Sequence, residues 1–228
     1  MEQVKQGLSV FSLDFLNNLQ VLPDEEEKTE AEMLEEKKQI ELKEKQKWCE
    51  SKESGIPIRF QQSSFENYIA KTDEEKKNLE VCKNFVAGKG RQMLMFIGKY
   101  GNGKTHLGAS IIREFEKRGR FTTSFEICTR YEMGSDFKAE ENRWEVLERF
   151  CNYEVLVIDE FGRAKPEVER LIIPYLINAR YENKKKTVII TNLEKDKVID
   201  LLGEASVDRL REVCSTIVFT EESKRGAL

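Results

Sequence analysis

The chain has 228 residues, 39% of them hydrophobic and 35% charged, with a formal net charge of −4. That length suits one α/β domain with an appendage, and the acidic balance excludes indiscriminate binding to nucleic acid while leaving room for a local basic groove. Five scattered cysteines and a single histidine form no C-x-x-C pair and no histidine cluster, so reduced thiols are expected, and neither zinc nor disulfides. No apolar run approaches the ~20 residues a bilayer-spanning helix needs, and the N-terminus has no basic-then-apolar leader pattern. A cytoplasmic protein without membrane contact is expected.

Residues 1–55 read as a helical N-terminal extension, and residues 56–228 as the main domain. Leu8, Phe11, Phe15, Leu19 and Leu22 recur at three- and four-residue steps, as on an amphipathic helix that Pro23 ends. Glu and Lys dominate residues 24–47, with Glu41 and Lys45 in i,i+4 order; Met33 and Ile40 are too few for a coiled-coil seam. The stretch reads either as a solvated helix or partly disordered tail, or as a tether that presents the apolar face of residues 8–22 to a larger protein. Ser54-Gly55-Ile56-Pro57 reads as a linker. Thr72, followed by Asp73, Glu74 and Glu75, marks a helix start, with Leu79, Cys82, Phe85 and Val86 as its buried face.

The apolar run 93–97 suits a buried parallel strand. It runs into Gly98-Lys99-Tyr100-Gly101-Asn102-Gly103-Lys104-Thr105-His106, which fits the phosphate-binding loop pattern of glycine, four residues, then Gly-Lys-Thr. Helical spacing resumes with Leu107, Ile111, Ile112 and Phe115, and Arg118-Gly119 reads as a stop. A strand is predicted over 121–128, then helices over 131–137 and 144–150. The run Val155-Leu156-Val157-Ile158 ends in Asp159-Glu160. Pro166 opens a helix that Pro174 is expected to kink or reset. Residues 187–190 form a third buried strand ending in Thr191-Asn192. Leu201, Leu202, Val207 and Leu210 belong to a short helical stretch, and residues 216–219 form the last strand.

Strands alternating with helices predict a parallel sheet covered on both faces, with ligands beyond the carboxyl ends of its strands. Lys104, Asp159, Glu160 and Asn192 all fall at such ends. Gly98, Gly101 and Gly103 let the loop backbone turn its N–H groups toward phosphate oxygens. Lys104 is placed to reach the β- and γ-phosphates of ATP, Thr105 and Asp159 to hold Mg²⁺, and Glu160 to orient the attacking water. Asn192 is read either as polarising that water or as a helix cap.

The whole arrangement resembles the AAA+ ATPases, and within them the DnaC/DnaI-type replicative helicase loaders and the related IstB transposition ATPases. The resemblance spans residues 56–228. It rests on Ser64-Phe65-Glu66-Asn67-Tyr68, on Gly98 to Leu107 as Walker A, and on Val155 to Gly162 as Walker B. It continues in Arg180-Tyr181-Glu182, in Thr191-Asn192-Leu193, similar to sensor 1, and in Asp208-Arg209-Leu210, similar to the arginine-finger region. The resemblance implies a five-stranded parallel P-loop sheet. It implies nucleotide contacts from Gly98, Gly101, Asn102, Gly103, Lys104, Thr105, His106 and Asp159, and catalytic roles for Glu160, Asn192 and Arg209. Arg209 would then reach the ATP of a neighbouring subunit, although the sequence alone reads it equally as a surface ion-pair residue, and Arg225 stands where the family often carries a further arginine. The implied function is an ATP-dependent loader that places a DnaB-type hexameric helicase on single-stranded DNA and works as an ATP-dependent homo-oligomer. Arg130, Tyr131, Phe137 and Lys138 have the cationic and aromatic composition that single-strand binding uses, although core packing explains each of them singly. The N-terminal extension would grip the helicase; with Cys49 alone there, it lacks the zinc cluster of some relatives. The other readings are a transposase helper, a small-molecule kinase and a nucleotide-dependent adaptor without turnover.

Overall fold

Hydrophobic runs too short and too rich in β-branched residues for helices have one economical solution, a sheet buried on both faces. The computed structural model, which describes residues 30–220, shows that sheet. Its strands are β1 (Met93–Gly98), β2 (Gly119–Thr123), β3 (Val155–Phe161), β4 (Lys186–Thr191) and β5 (Cys214–Phe219). They are all parallel, in the order β2-β3-β4-β1-β5. Eight helices accompany them among the described residues: α1 (Glu30–Glu50), α2 (Asp73–Val86), α3 (Lys104–Phe115), α4 (Ser124–Met133), α5 (Arg143–Asn152), α6 (Pro166–Glu182), α7 (Lys195–Leu202) and α8 (Glu204–Val213). The predicted five-stranded α/β architecture is the observed one.

Alternation along each strand sorts the core into two layers. Leu94, Phe96, Val155, Val157, Val188 and Ile190 face α3 and the Phe65–Tyr68 region. Met93, Met95, Leu156, Ile158 and Ile189 face α4 to α8. None of the described helices is long and apolar enough to cross a membrane.

Four local expectations are corrected. The strand predicted over 121–128 stops at Thr123, whose hydroxyl accepts from the Glu126 N–H at 3.0 Å and caps α4. A capping pattern thus wins over the β-propensity of Phe125 and Ile127, because helix α4 buries Ile127 and Cys128 under the sheet. The helix predicted over 131–137 ends at Met133, leaving Phe137 wholly exposed. Helix α6 continues through Pro174 from Pro166 to Glu182, so the helix is not reset there. The stretch around Leu201–Leu210 is two helices, divided at Gly203, whose φ is 74°.

The predicted linker is a fixture of the domain. The compact unit that carries the sheet begins at Glu41, and residues 41–55 pack on it. Lys45 bridges Glu41 and Glu114, Cys49 is fully buried, and Ser54 Oγ donates to the Cys49 carbonyl at 3.0 Å. The Ser54 carbonyl accepts from Phe121 N–H at 2.8 Å, covering the outer edge of β2. Gly55 makes that approach possible: its φ is 69°, and a Cβ there would stand 1.9 Å from the Phe121 carbonyl.

Arg180 joins the elements at the opposite end of the sheet from the phosphate loop. It is fully buried on α6. Nε donates to Thr187 Oγ1, Nη2 to the Lys186 carbonyl, and Nη1 to the carbonyls of Phe150, Cys151 and Tyr153, at 2.6–3.0 Å. The last carbonyls of α5 thus find donors inside the protein. Burial lowers the Arg180 pKa, yet a full set of oxygen acceptors keeps the guanidinium charged at neutral pH.

Candidate nucleotide-binding site

Strand β1 delivers the loop of Gly98 to Gly103 to the N-terminus of α3. Gly103 caps that helix with φ 93°, and a Cβ there would meet the Tyr68 ring at 2.9 Å. The loop is therefore closed by glycine on one side and by the Phe65–Tyr68 region on the other. Asn102, almost fully buried, donates from Nδ2 to the Phe219 carbonyl at 3.0 Å and so ties the loop to the end of β5. Lys104 Nζ donates to the carbonyls of Gly98 (2.7 Å) and Lys99 (2.5 Å) and to Asn102 Oδ1 (2.9 Å). His106 Nε2 stands 3.0 Å from the Ser64 carbonyl, and its ring meets Tyr68 edge-on.

Across the cleft, β3 ends in the two carboxylates. Thr105 Oγ1 donates to Asp159 Oδ2 at 2.9 Å, and the Glu160 N–H donates to Asp159 Oδ1 at 2.7 Å. Burial raises the Asp159 pKa; the bonds from Glu160 N–H and Thr105 only partly offset it. A buried anion with a hydroxyl beside it is a donor set suited to a hard divalent cation. Glu160 has φ 56°, costly for a residue with a Cβ. Three contacts hold that turn: Ser124 Oγ donates to the Glu160 carbonyl (3.0 Å), Arg163 N–H donates to the same carbonyl (3.1 Å), and Gly162 N–H donates to buried Glu169 (2.8 Å). The strain turns the Glu160 side chain away from the core into solvent while Asp159 stays buried.

The two walls enclose a cleft of about 420 Å³, lined by Gly101 to His106, Asp159, Glu160 and Asn192. Of the predicted site residues, only Gly98 and Arg209 do not line it. Gly98 starts the loop, and its carbonyl receives Lys104. Arg209, half-buried on α8, stands near Tyr181, whose hydroxyl donates to Glu212. Arg225 and the apolar residues 8–22 lie outside the described residues. Of the predicted single-strand contacts, Arg130 and Lys138 line a separate hollow, but Arg130 is engaged by Glu126 (2.9 Å) and the Tyr131 ring packs under Arg143.

Arg59, Phe60, Tyr100 and Arg163 also line the cleft and were not predicted. Tyr100 lay within the motif and Arg163 three residues past Glu160, so proximity was a usable signal for both. Arg59 and Phe60 reach the cleft only through the folding back of the segment before Ser64, which no spacing encodes.

A parallel sheet of this order, with a phosphate loop after its first strand and paired carboxylates after its third, defines an AAA+ nucleotide-binding domain. The replication initiator DnaA bound to AMPPCP and single-stranded DNA shares the fold, with a TM-score of 0.58 and 16% identity over 73% of this chain. The chain is 32% identical over 182 residues to the replicative helicase loader DnaC of Escherichia coli strain K12, covering 76% of this chain and 73% of that one. The DnaC loader of Buchnera aphidicola subsp. Schizaphis graminum is 30% identical over 170 residues, 69% of this chain and 67% of that one. The crystal structure of the DnaC helicase loader superposes with a TM-score of 0.62 and 26% identity, over 72% of this chain and 99% of that one. No family model matches the sequence. The chain belongs to the DnaC family of replicative helicase loaders.

Proposed function

We propose that this protein is a Mg²⁺-dependent ATPase that helps place a DnaB-type hexameric helicase on single-stranded DNA in the cytoplasm. One observation carries the reading. In a chain of the DnaC family, Lys104, the Thr105–Asp159 pair, Glu160 and Asn192 converge on one cleft at the carboxyl ends of parallel strands.

The residues present fit both groups. The loop N–H groups at the start of α3 and the Lys104 ammonium suit the phosphates, and Lys104 would exchange its carbonyl acceptors for phosphate oxygens. Thr105 and Asp159 would hold Mg²⁺, which supplies charge neutralisation on the phosphates. Glu160 orients and accepts a proton from water, and its strained turn keeps that carboxylate in front of the cleft. Asn192, after β4, hydrogen-bonds the same water or the terminal phosphate. Arg209, outside its own cleft, supplies positive charge to the site of a neighbouring copy. Residues 1–55 provide the grip on the helicase, and the ATP and ADP forms must differ in affinity for it, because a ligand shifts only equilibria between states it distinguishes.

The test is calorimetry with MgATP on the wild type and Lys104→Ala, followed by helicase pull-down with ATP and with ADP. Heat of binding abolished by Lys104→Ala, and nucleotide-dependent retention of the helicase, are expected. Uptake unchanged by Lys104→Ala would remove the proposed site.

A further inference from the structure

Two side chains span the mouth of the cleft, and neither belongs to the phosphate-loop pattern or to the carboxylate pair. Tyr100 rises, exposed, from the phosphate loop. Arg163 follows Glu160 by three residues on the opposite wall. The Arg163 guanidinium stacks over the Tyr100 ring, 5.3 Å from its centroid, and Nη2 donates to the Tyr100 hydroxyl. Both residues line the cleft together with Lys104, Glu160 and Asn192.

The base of Arg163 is fixed. Its own N–H is bonded to the Glu160 carbonyl, and the Gly162 N–H before it to the buried Glu169 carboxylate. The side chain therefore starts from the same turn that sets Glu160, and its contact with Tyr100 is what holds the guanidinium over the cleft. Its partners are the hydroxyl and the ring face of Tyr100. Exposed Arg118 and Arg170 rest on the carboxylates of Glu154 and Asp200, whereas Arg143, like Arg163, stacks on a tyrosine ring. An exposed contact to an aromatic face is weak, while a guanidinium binds phosphate oxygens through short, charge-assisted bonds. Anionic oxygens at the cleft mouth would displace Tyr100.

Which phosphate it meets follows from the two walls. Lys104 spans the β- and γ-phosphates, and the Glu160 wall faces the end at which water attacks. Arg163 leaves that wall three residues after Glu160 and lines the cleft with it, which favours the terminal phosphate over the inner ones as its partner. We infer that Arg163 recognises the γ-phosphate and that Tyr100 holds it in place when that phosphate is absent, so the pair discriminates ATP from ADP. The inference rests on the nucleotide reading of the cleft and adds to it the residue that distinguishes the two ligands.

The experiment measures binding of ADP and of a non-hydrolysable ATP analogue, with Mg²⁺, to the full chain and to Arg163→Ala, Arg163→Lys, Tyr100→Ala and Lys104→Ala. For Arg163→Ala, analogue affinity should fall about tenfold, the size of one lost hydrogen bond to a charged group, with ADP affinity held within about twofold. Arg163→Lys should recover part of the loss, because a point charge replaces a bidentate fork. Tyr100→Ala, which removes the competing partner, should leave analogue affinity equal or higher. Equal losses for both ligands in Arg163→Ala, or no loss for either, would overturn the assignment while leaving the pocket intact. If Lys104→Ala binds both nucleotides like the wild type, the pocket reading itself fails, and the inference fails with it.

Discussion

At the scale of single residues, the cleft is built around a deliberate imbalance. Asp159 is a buried carboxylate supported by one hydroxyl and one backbone N–H, and burial raises its pKa. An ionised group with a raised pKa opposes folding until a cation arrives. Asp159→Asn should therefore raise the Tm of the nucleotide-free protein and abolish the Mg²⁺-dependent part of nucleotide stabilisation. Thermal melts with and without MgATP check both halves. A fall in Tm without nucleotide would mean that the carboxylate is structural. Glu160 carries a second imbalance, since its φ of 56° serves the direction of its side chain and no core contact.

At the scale of elements, two polar groups, one half-buried and one fully buried, decide which segments dock. Glu126, in the first turn of α4, is 31% exposed and bound by Arg120, Thr122 and Arg130. Burial alone would raise its pKa, but those partners, Arg120 first, hold it below the usual carboxylate value. A depressed folded pKa gives stability that is present above the unfolded pKa of ~4.3 and lost as pH falls through the folded value. Glu126→Gln should melt lower than the wild type at pH 7, and the gap should close as pH drops below ~4. Melts over that range read it directly.

Arg180 is the stronger case. It supplies donors to three carbonyls at the end of α5, to Lys186 and to Thr187, all away from solvent. Arg180→Leu leaves these acceptors unpaired and should cost about 4 kcal/mol or more, measured by urea unfolding. Lysine, with three donors and no fork, should not restore the loss. The tripeptide Arg180-Tyr181-Glu182 thus contributes a docking residue to the fold, on the side of the sheet away from the cleft.

At the scale of the whole molecule, the proposed function has Arg209 act on the cleft of a neighbouring copy. Arg209 does not line the cleft of its own chain. Arg209→Ala should leave nucleotide affinity within about twofold and lower turnover by ~10²-fold or more, as expected when a transition-state charge from a neighbour is lost. Loss of affinity comparable to the loss of turnover would place Arg209 in a binding role instead. Wild-type turnover per chain should also rise with protein concentration, and the Arg209→Ala variant should lose that rise.

The sequence by itself determined the sheet and which residues stand at the carboxyl ends of its strands. The runs at 93–97, 155–158 and 187–190 are buried strands, and the glycine-rich loop before Lys104-Thr105 joins the first of them to a helix, as the spacing predicts. These features are local: their periods and spacings lie within a few residues, and backbone geometry turns them directly into structure. The tertiary fold decided the rest. It converted the end of the predicted strand at Phe125–Cys128 into α4, because burial of Ile127 and Cys128 under the sheet outweighed β-propensity. It turned the apparent linker at Ser54-Gly55 into the cover of the β2 edge. It also brought Arg59 and Phe60 to the cleft, since contacts between residues far apart in sequence depend on how elements pack, and no spacing within one element records that.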